Sequence, residues 1–388
     1  MNKLIGFDGV RAIACLMIIL HHISQRMNPM HTPDWLAPFI ELGFQSNIGV
    51  SMFFVLSGAL LSYPFWKAHI NQTQMPKTGV YFLRRFARIA PGFYLSLTAT
   101  FVLSFMVFDS TLDTQLIVRY ISGLLFLNEF HYVTLFPADV NGPLWSIGFE
   151  VFSYVLLFLV MLGLFRFLKN RPFTDALYYL LFIFCLTIMI HVCIYKFMPI
   201  INEGRGWQHG LTGGALIWMP GYNPMSLFSH FFFGIVASAL LVYLIDKKQT
   251  SDKGFDYFIL FNWFAFVIYV YFQRYDTFLN IPYYWPFFPM LIGITLICLP
   301  FTKHAARILD NRFFAFTAKI SFGLYVWHFL IIELIQTFLY ESYGVFETEH
   351  LSVFFMASTL TVIFSYIIAT LSFYLIERPV QKWSQSFN

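Results

Sequence analysis

A chain of 388 residues that is 58% hydrophobic and only 11% charged, with a mean hydropathy of +0.66, is not a water-soluble globular protein, which normally carries about 25% charged residues. The net charge of +4 is spread without a basic block, so no nucleic acid partner is indicated. Cys15, Cys185, Cys193 and Cys298 sit in apolar runs without CxxC spacing, which argues against a disulfide framework, and no metal site is expected.

A bilayer span takes about 20 mainly apolar residues. Runs of this kind occur at 6–25, 44–65, 90–108, 143–167, 176–198, 225–245, 256–273, 284–301, 318–340 and 352–376. The expected fold class is therefore all-α, a polytopic membrane bundle of about ten transmembrane helices forming one domain over residues 1–388. The first run follows Lys3 as a signal peptide would, but Asp8 and Arg11 interrupt it and no small-residue cleavage site follows, so it reads as an uncleaved helix. The stretch 115–128 is apolar but short and carries Arg119, which suits a re-entrant or interfacial helix on the outer side.

With both termini in the cytoplasm, nineteen of the 24 Lys and Arg residues fall inside, and only Arg26, Arg119, Lys196, Arg205 and Arg274 fall outside. That is the asymmetry of the positive-inside rule. The longest outer segments, 109–142 and 199–224, are rich in Gly, Pro and aromatic residues and are expected to form a lid or a binding rim. The expected location is a cell membrane, of the bacterial cytoplasmic kind. No internal repeat is evident, which disfavours transporters built from inverted repeats.

Ionisable residues inside a span are costly and mark function by default. In the first run, Arg11 and His22 are eleven residues apart, so they return to within about 20° of one helix face, roughly 16 Å apart along the axis. One face can thus hold an anion at one level and a base at another. Snorkelling of Arg11 and a merely packed His22 are the structural alternative. His21 lies about 100° away and is not expected to share the role.

The run Gly49–Gly58 carries Ser57, but its small residues suit close helix packing better than a nucleophile. Arg84, Arg85 and Arg88 follow. The last two share a helix face and guanidinium groups fit phosphates, although a positive-inside cluster needs no ligand. In the fourth span, Glu150 lies about 10 Å from the start by helix rise, a depth similar to that of His22. The two are expected to pair, the carboxylate holding the imidazole tautomer. Trp145 and, later, His328 are candidate cavity-lining residues beside Ser57. The closing Glu377-Arg378-Pro379 reads as an interfacial helix stop.

Taken together, Phe-Asp-Gly-Val-Arg-Ala from Phe7, Arg11 followed by ten residues and His22, Phe53-Phe54-Val55-Leu56-Ser57-Gly58, Arg85-Phe86-Ala87-Arg88, Pro-Leu-Trp-Ser before Glu150, and Tyr-Val-Trp-His at 325–328 resemble the acyltransferase 3 family. These are membrane-bound enzymes that O-acetylate bacterial surface polysaccharides. The resemblance runs from Phe7 to Pro379. Each motif is weak alone, and their order and spacing make them specific.

The resemblance implies a ten-helix core, acyl-CoA as cytoplasmic donor substrate with no permanently bound cofactor, and a carbohydrate acceptor, free or lipid-linked, presented from the other side. It assigns Arg11 and His22 to the essential Arg/His pair, and Arg85 with Arg88 to the cytoplasmic arginine motif. Val151 stands where many members carry a second acidic residue, which weakens a two-carboxylate mechanism. No appended extracytoplasmic hydrolase-like domain is expected after Pro379. The rival class is a transporter or exporter using the same buried charges as a substrate or proton path.

Overall fold

The computed structural model describes residues 4–198, 210–272, 278–340 and 348–387. Arg205, Arg274 and positions 199–209 of the expected outer rim lie outside them. The described residues form helices α1 (Phe7–Ser24), α2 (Ala37–Gln45), α3 (Gly49–Ile70), α4 (Thr78–Met106), α5 (Thr114–Leu124), α6 (Trp145–Leu168), α7 (Phe173–Phe197), α8 (Gly210–Trp218), α9 (Pro224–Asp246), α10 (Lys253–Phe272), α11 (Phe287–Cys298), α12 (Ala305–Leu309), α13 (Arg312–Tyr340), α14 (Leu351–Ser372) and α15 (Arg378–Gln385).

Among the described residues, nine helical stretches are long and apolar enough to cross a membrane. This is a multi-pass, all-α membrane protein. The expected span at 284–301 is instead a shorter apolar helix, Phe287–Phe301. Its twelve α-helical residues rise about 18 Å before a 3-10 turn, Leu299–Phe301. Phe288, Leu291 and Ile292 of α11 are buried, and the helix packs against α9, α3 and α10.

Several helix boundaries differ from the apolar runs: α3 extends past 65 to Ile70, and α13 begins at Arg312 and not at 318. The arginines at 84, 85 and 88 depress the local hydropathy, so the run appears to begin at 90, while α4 is already helical from Thr78. The run at 44–65 is likewise entered through a separate nine-residue helix, α2, which no apolar threshold isolates. Capping follows local chemistry. Asn223 accepts from the backbone N–H groups of Met225 and Ser226 at 3.1 and 3.0 Å, with Pro224 opening α9 where a missing N–H is harmless.

α3 packs most extensively on α9, and two glycines make that approach available. A Cβ on Gly58 would overlap the Phe231 carbonyl oxygen, and one on Gly234 would overlap that of Val55. In lipid, close backbone packing is what holds helices together, so the small residues before Gly58 serve packing. α1 packs on α13, α3 and α2, whereas α6 packs on α9, α3 and α7. The two helices share α3 as a neighbour.

The short stretch around Arg119 forms α5, capped by Asp113, which accepts from the Leu116 N–H at 2.7 Å. Arg119 is buried, donates to the Phe136 carbonyl at 2.6 Å and pairs with Asp139. It thereby ties α5 to the segment that leads into α6. In that segment Asn128 donates to the carbonyls of Leu135 and Trp145 at 3.1 and 3.0 Å.

Beside Asn128, the Glu129 carboxyl is 1% exposed, and burial pushes its pKa up to about 7. Both Asn128 Oδ1 and Glu129 Oε2 lie against Gly148 of α6, where a Cβ would collide with them. Between the ordinary value of 4.5 and about 7 the folded chain keeps a proton that the unfolded chain has released. The contribution of Glu129 to stability is therefore largest below pH 4.5 and falls as the pH rises to about 7. Glu129→Gln is expected to flatten this slope in thermal unfolding of detergent-solubilised protein at pH 5 and pH 8. An unchanged difference in Tm between the two pH values would remove Glu129 as its source.

Glu377 does not end a helix. α14 passes through a π-helical turn, Phe373–Glu377, directly into α15. π-turns widen the backbone and re-aim a side chain. Glu377 is consequently buried, 1% exposed, rather than interfacial.

Candidate active site

A cavity of ≈ 460 Å³ opens between α3, α4, α6 and α13. Pro76 and Lys77 of the α3–α4 connection line one end with Arg84, and Phe53, Ser146 and Tyr325 line the other. Five cationic side chains face it, those of Arg11, Lys77, Arg84, Arg85 and Arg88, against one carboxylate, Glu150. Arg84 also donates to the Phe387 carbonyl at 3.4 Å.

Glu150 is held in the cavity wall. Its Oε1 accepts from Ser57 Oγ at 3.1 Å and from Tyr154 Oη. Tyr154 stands four residues on, the spacing at which helical side chains meet.

A second cavity of ≈ 330 Å³ shares Arg11, Arg88 and Phe322 with the first and adds Asp8, Lys319, Glu377 and Gln381. Glu377 accepts from Ser372 Oγ at 3.0 Å. Gly92 of α4 makes room for it, since a Cβ there would sit 3.1 Å from Glu377 Oε1. Arg11 and Arg88 thus line two cavities at once.

The far end of α1 carries the second cluster. The His22 ring lies 5.3 Å from that of His328 and 4.9 Å from that of Phe329, both on α13. Its Nδ1 is 3.0 Å from Gln25 Oε1. His328 is fully buried and donates from Nδ1 to the Tyr325 and Leu324 carbonyls at 2.8 and 3.1 Å. Its Nε2 has no hydrogen-bond partner among the described residues. Next to them Arg26 donates to Glu333 at 2.6 Å and to Gln336 at 2.8 Å.

Tyr325 links the two clusters, lining the cavity with its ring 6.0 Å from that of His328. Its hydroxyl is fixed between Ser146 Oγ at 2.6 Å and the Pro143 carbonyl at 3.0 Å. The Pro-Leu-Trp-Ser and Tyr-Val-Trp-His motifs therefore meet in space, the first positioning the tyrosine of the second.

The site expected from the sequence divides in two. Arg11, Ser57, Arg84, Arg85, Arg88 and Glu150 are brought together in the cavity. His22 is not with them. It shares a face with Arg11 to the extent that both reach α13, Arg11 at the level of Ala315 to Phe322 and His22 at the level of His328 and Phe329.

The expected His22–Glu150 pair does not form: His22 hydrogen-bonds Gln25, and Glu150 bonds Ser57 and Tyr154. Nor does Glu150 take the level expected of it: it lines the same cavity as Arg11, roughly 16 Å along α1 from His22 by helix rise, and its side chain turns toward α3. Trp145 packs in the core, 5.3 Å from the Phe149 ring and 5.6 Å from that of Tyr222. It lines neither cavity, nor does His328. Sequence reasoning missed Lys77, Tyr154, Tyr325, Glu377 and Gln25. For Tyr154 and Gln25 a signal existed, namely i+4 from Glu150 and i+3 from His22.

Comparison with known proteins follows the same outline. The acyltransferase-domain family matches residues 4–370. A Staphylococcus aureus (strain COL) protein, provisionally named an O-acetyltransferase, is 26% identical over 98% of this chain and 58% of its own length. A Bacillus subtilis (strain 168) protein, provisionally named a peptidoglycan O-acetyltransferase, is 26% identical over 97% of this chain and 54% of its own. The O-acetyltransferase OatA of S. aureus (strain NCTC 8325 / PS 47) is 24% identical over 97% and 57%. The chain thus spans a little over half the length of these relatives. No solved structure matches it. A transporter reading finds no support in these comparisons.

Proposed function

Since the chain belongs to the acyltransferase 3 family, we propose that it is a membrane O-acyltransferase, moving an acetyl group from cytoplasmic acetyl-CoA to a hydroxyl of an extracytoplasmic sugar or polysaccharide. The observation that carries the donor assignment is the convergence of Arg11, Lys77, Arg84, Arg85 and Arg88 on one cavity. Guanidinium groups bind phosphates through charge-assisted, often paired hydrogen bonds, and CoA is a phosphate-rich head on a long flexible arm. The head sits among these cations and the arm runs toward Tyr325 and Phe53. A carbohydrate acceptor agrees with the peptidoglycan named for the B. subtilis relative.

At the far end, partly buried His22 is the base. Its free ring nitrogen takes the proton of the acceptor hydroxyl as that oxygen attacks the thioester carbonyl. The tetrahedral carbon then expels the CoA sulfur, and the imidazolium returns its proton to that sulfur. Glu150 does not orient this base. It stays in the donor cavity as a counter-charge among the arginines and as the anchor of Ser57.

The test uses the purified chain in proteoliposomes, labelled acetyl-CoA outside and a soluble glycan fragment on the other side. The expected result is CoA release matched by label on the glycan. Movement of label without thioester cleavage would replace this proposal with transport.

A further inference from the structure

His21, Gln25 and a backbone carbonyl of α2 form one hydrogen-bonded chain that ends on His22. His21 Nδ1 lies 2.9 Å from the Phe44 carbonyl oxygen. Gln25 Nε2 lies 3.3 Å from His21 Nε2, and Gln25 Oε1 lies 3.0 Å from His22 Nδ1. With both imidazoles neutral, each link leaves only one arrangement of protons. A carbonyl only accepts, so His21 carries its proton on Nδ1 and presents a lone pair at Nε2. That lone pair needs a donor, which turns the Gln25 amide nitrogen toward His21 and its oxygen toward His22. The oxygen only accepts, so His22 carries its proton on Nδ1. Rotating the Gln25 amide by half a turn would set two acceptors against each other at His21.

From this we infer that His21 and Gln25 are positioning residues that hold His22 in the tautomer with its lone pair on Nε2, the nitrogen left to receive a proton. The role of that lone pair rests on the acyl-transfer mechanism above, while the tautomer itself does not. α2 is part of the device, since it supplies the Phe44 carbonyl. It reaches α1 because Gly43 has no side chain, and a Cβ there would overlap Ser24 Oγ. A neutral amide performs the task that a carboxylate performs in hydrolytic triads. It fixes the tautomer without adding a negative charge to a site whose neighbour His328 is fully buried. It also changes the standing of His21, whose helix face alone gave it no part.

Nitrogen-15 NMR of histidine-labelled protein in lipid, without substrate, reads the tautomer directly, with His22 assigned from a His22→Gln difference spectrum. At pH 7.5 the unmodified protein is expected to show Nδ1 protonated and Nε2 bare. Gln25→Leu is expected to give a mixture of tautomers. Its kcat should fall about tenfold, the effect of one lost hydrogen bond on the transition state, at unchanged KM for acetyl-CoA. His21→Phe should loosen Gln25 and produce the same mixture in milder form. Gln25→Glu places a carboxylate on the imidazole and should raise the acid limb of the pH–rate profile by about one unit or more. A bare Nδ1 in the unmodified protein, or an unaltered tautomer in Gln25→Leu, overturns the inference. The expected spectrum in a protein without transfer activity would count against the acyl-transfer mechanism alone.

Discussion

His22→Ala is expected to lower acyl transfer by about 10²–10⁴-fold, the usual contribution of a positioned general base, while acetyl-CoA binding persists. The two effects separate because His22 sits at the level of His328 and Phe329 on α13, whereas the cationic cavity meets α13 no further along than Tyr325. His22 lines neither cavity. The decisive measurement compares turnover with equilibrium donor binding on equal amounts of inserted protein. Lost binding with lost turnover would show that the ring only packs α1 against α13. Retained turnover would remove His22 from the chemistry, and with it the proton route.

Replacing both Arg85 and Arg88 with Ala should do the opposite, weakening the donor and sparing the His22 cluster. Each charge-assisted hydrogen bond contributes about 1.5–3 kcal/mol, so the pair corresponds to a loss of roughly 10²–10⁴-fold in affinity. Arg88 also lines the second cavity with Glu377 and Lys319, so Arg85→Ala alone is the cleaner probe of donor binding and Arg88→Ala should be the more disruptive single change. Calorimetric titration with CoA reads both. An affinity for CoA that survives the double replacement would reduce these arginines to determinants of topology. The histidine tautomer read by NMR should be the same in the double variant, because no link of the chain from Phe44 to His22 passes through α4.

Most of the fold was legible because lipid imposes one-dimensional rules. A span must be apolar over a set length and must satisfy its own backbone, so composition and run length alone locate α1, α3, α6, α7, α9, α10, α13 and α14, with edges off by up to about six residues. The rules weaken where function adds charge or shortens a helix. The arginines hid the first three turns of α4, α11 is too short to be told from a buried core helix, and α2 has no lipid-length signature. Contacts along one helix were equally accessible. Arg11 with His22 and Arg85 with Arg88 follow from the 100° step per residue, as Glu150 with Tyr154 and His22 with Gln25 could have done.

What only the tertiary structure decided is which helices are neighbours and how each is rotated. Counting residues gives only a rough depth along the membrane, and both the final level and the rotation about the axis depend on packing against partners far away in the chain. Counting from the start of each run set Glu150 level with His22, whereas packing sets it beside Arg11 and turned to α3, with His22 further along α1 against α13. The same rotation brought Glu377 to Arg88 from nearly 300 residues away, set Tyr325 between Ser146 and His328, and laid the Phe44 carbonyl against His21. The chemistry available to the chain was written in its residue types. Their pairing was not, because contacts between helices arise from close packing of small residues such as Gly58 and Gly234, which no periodicity reports.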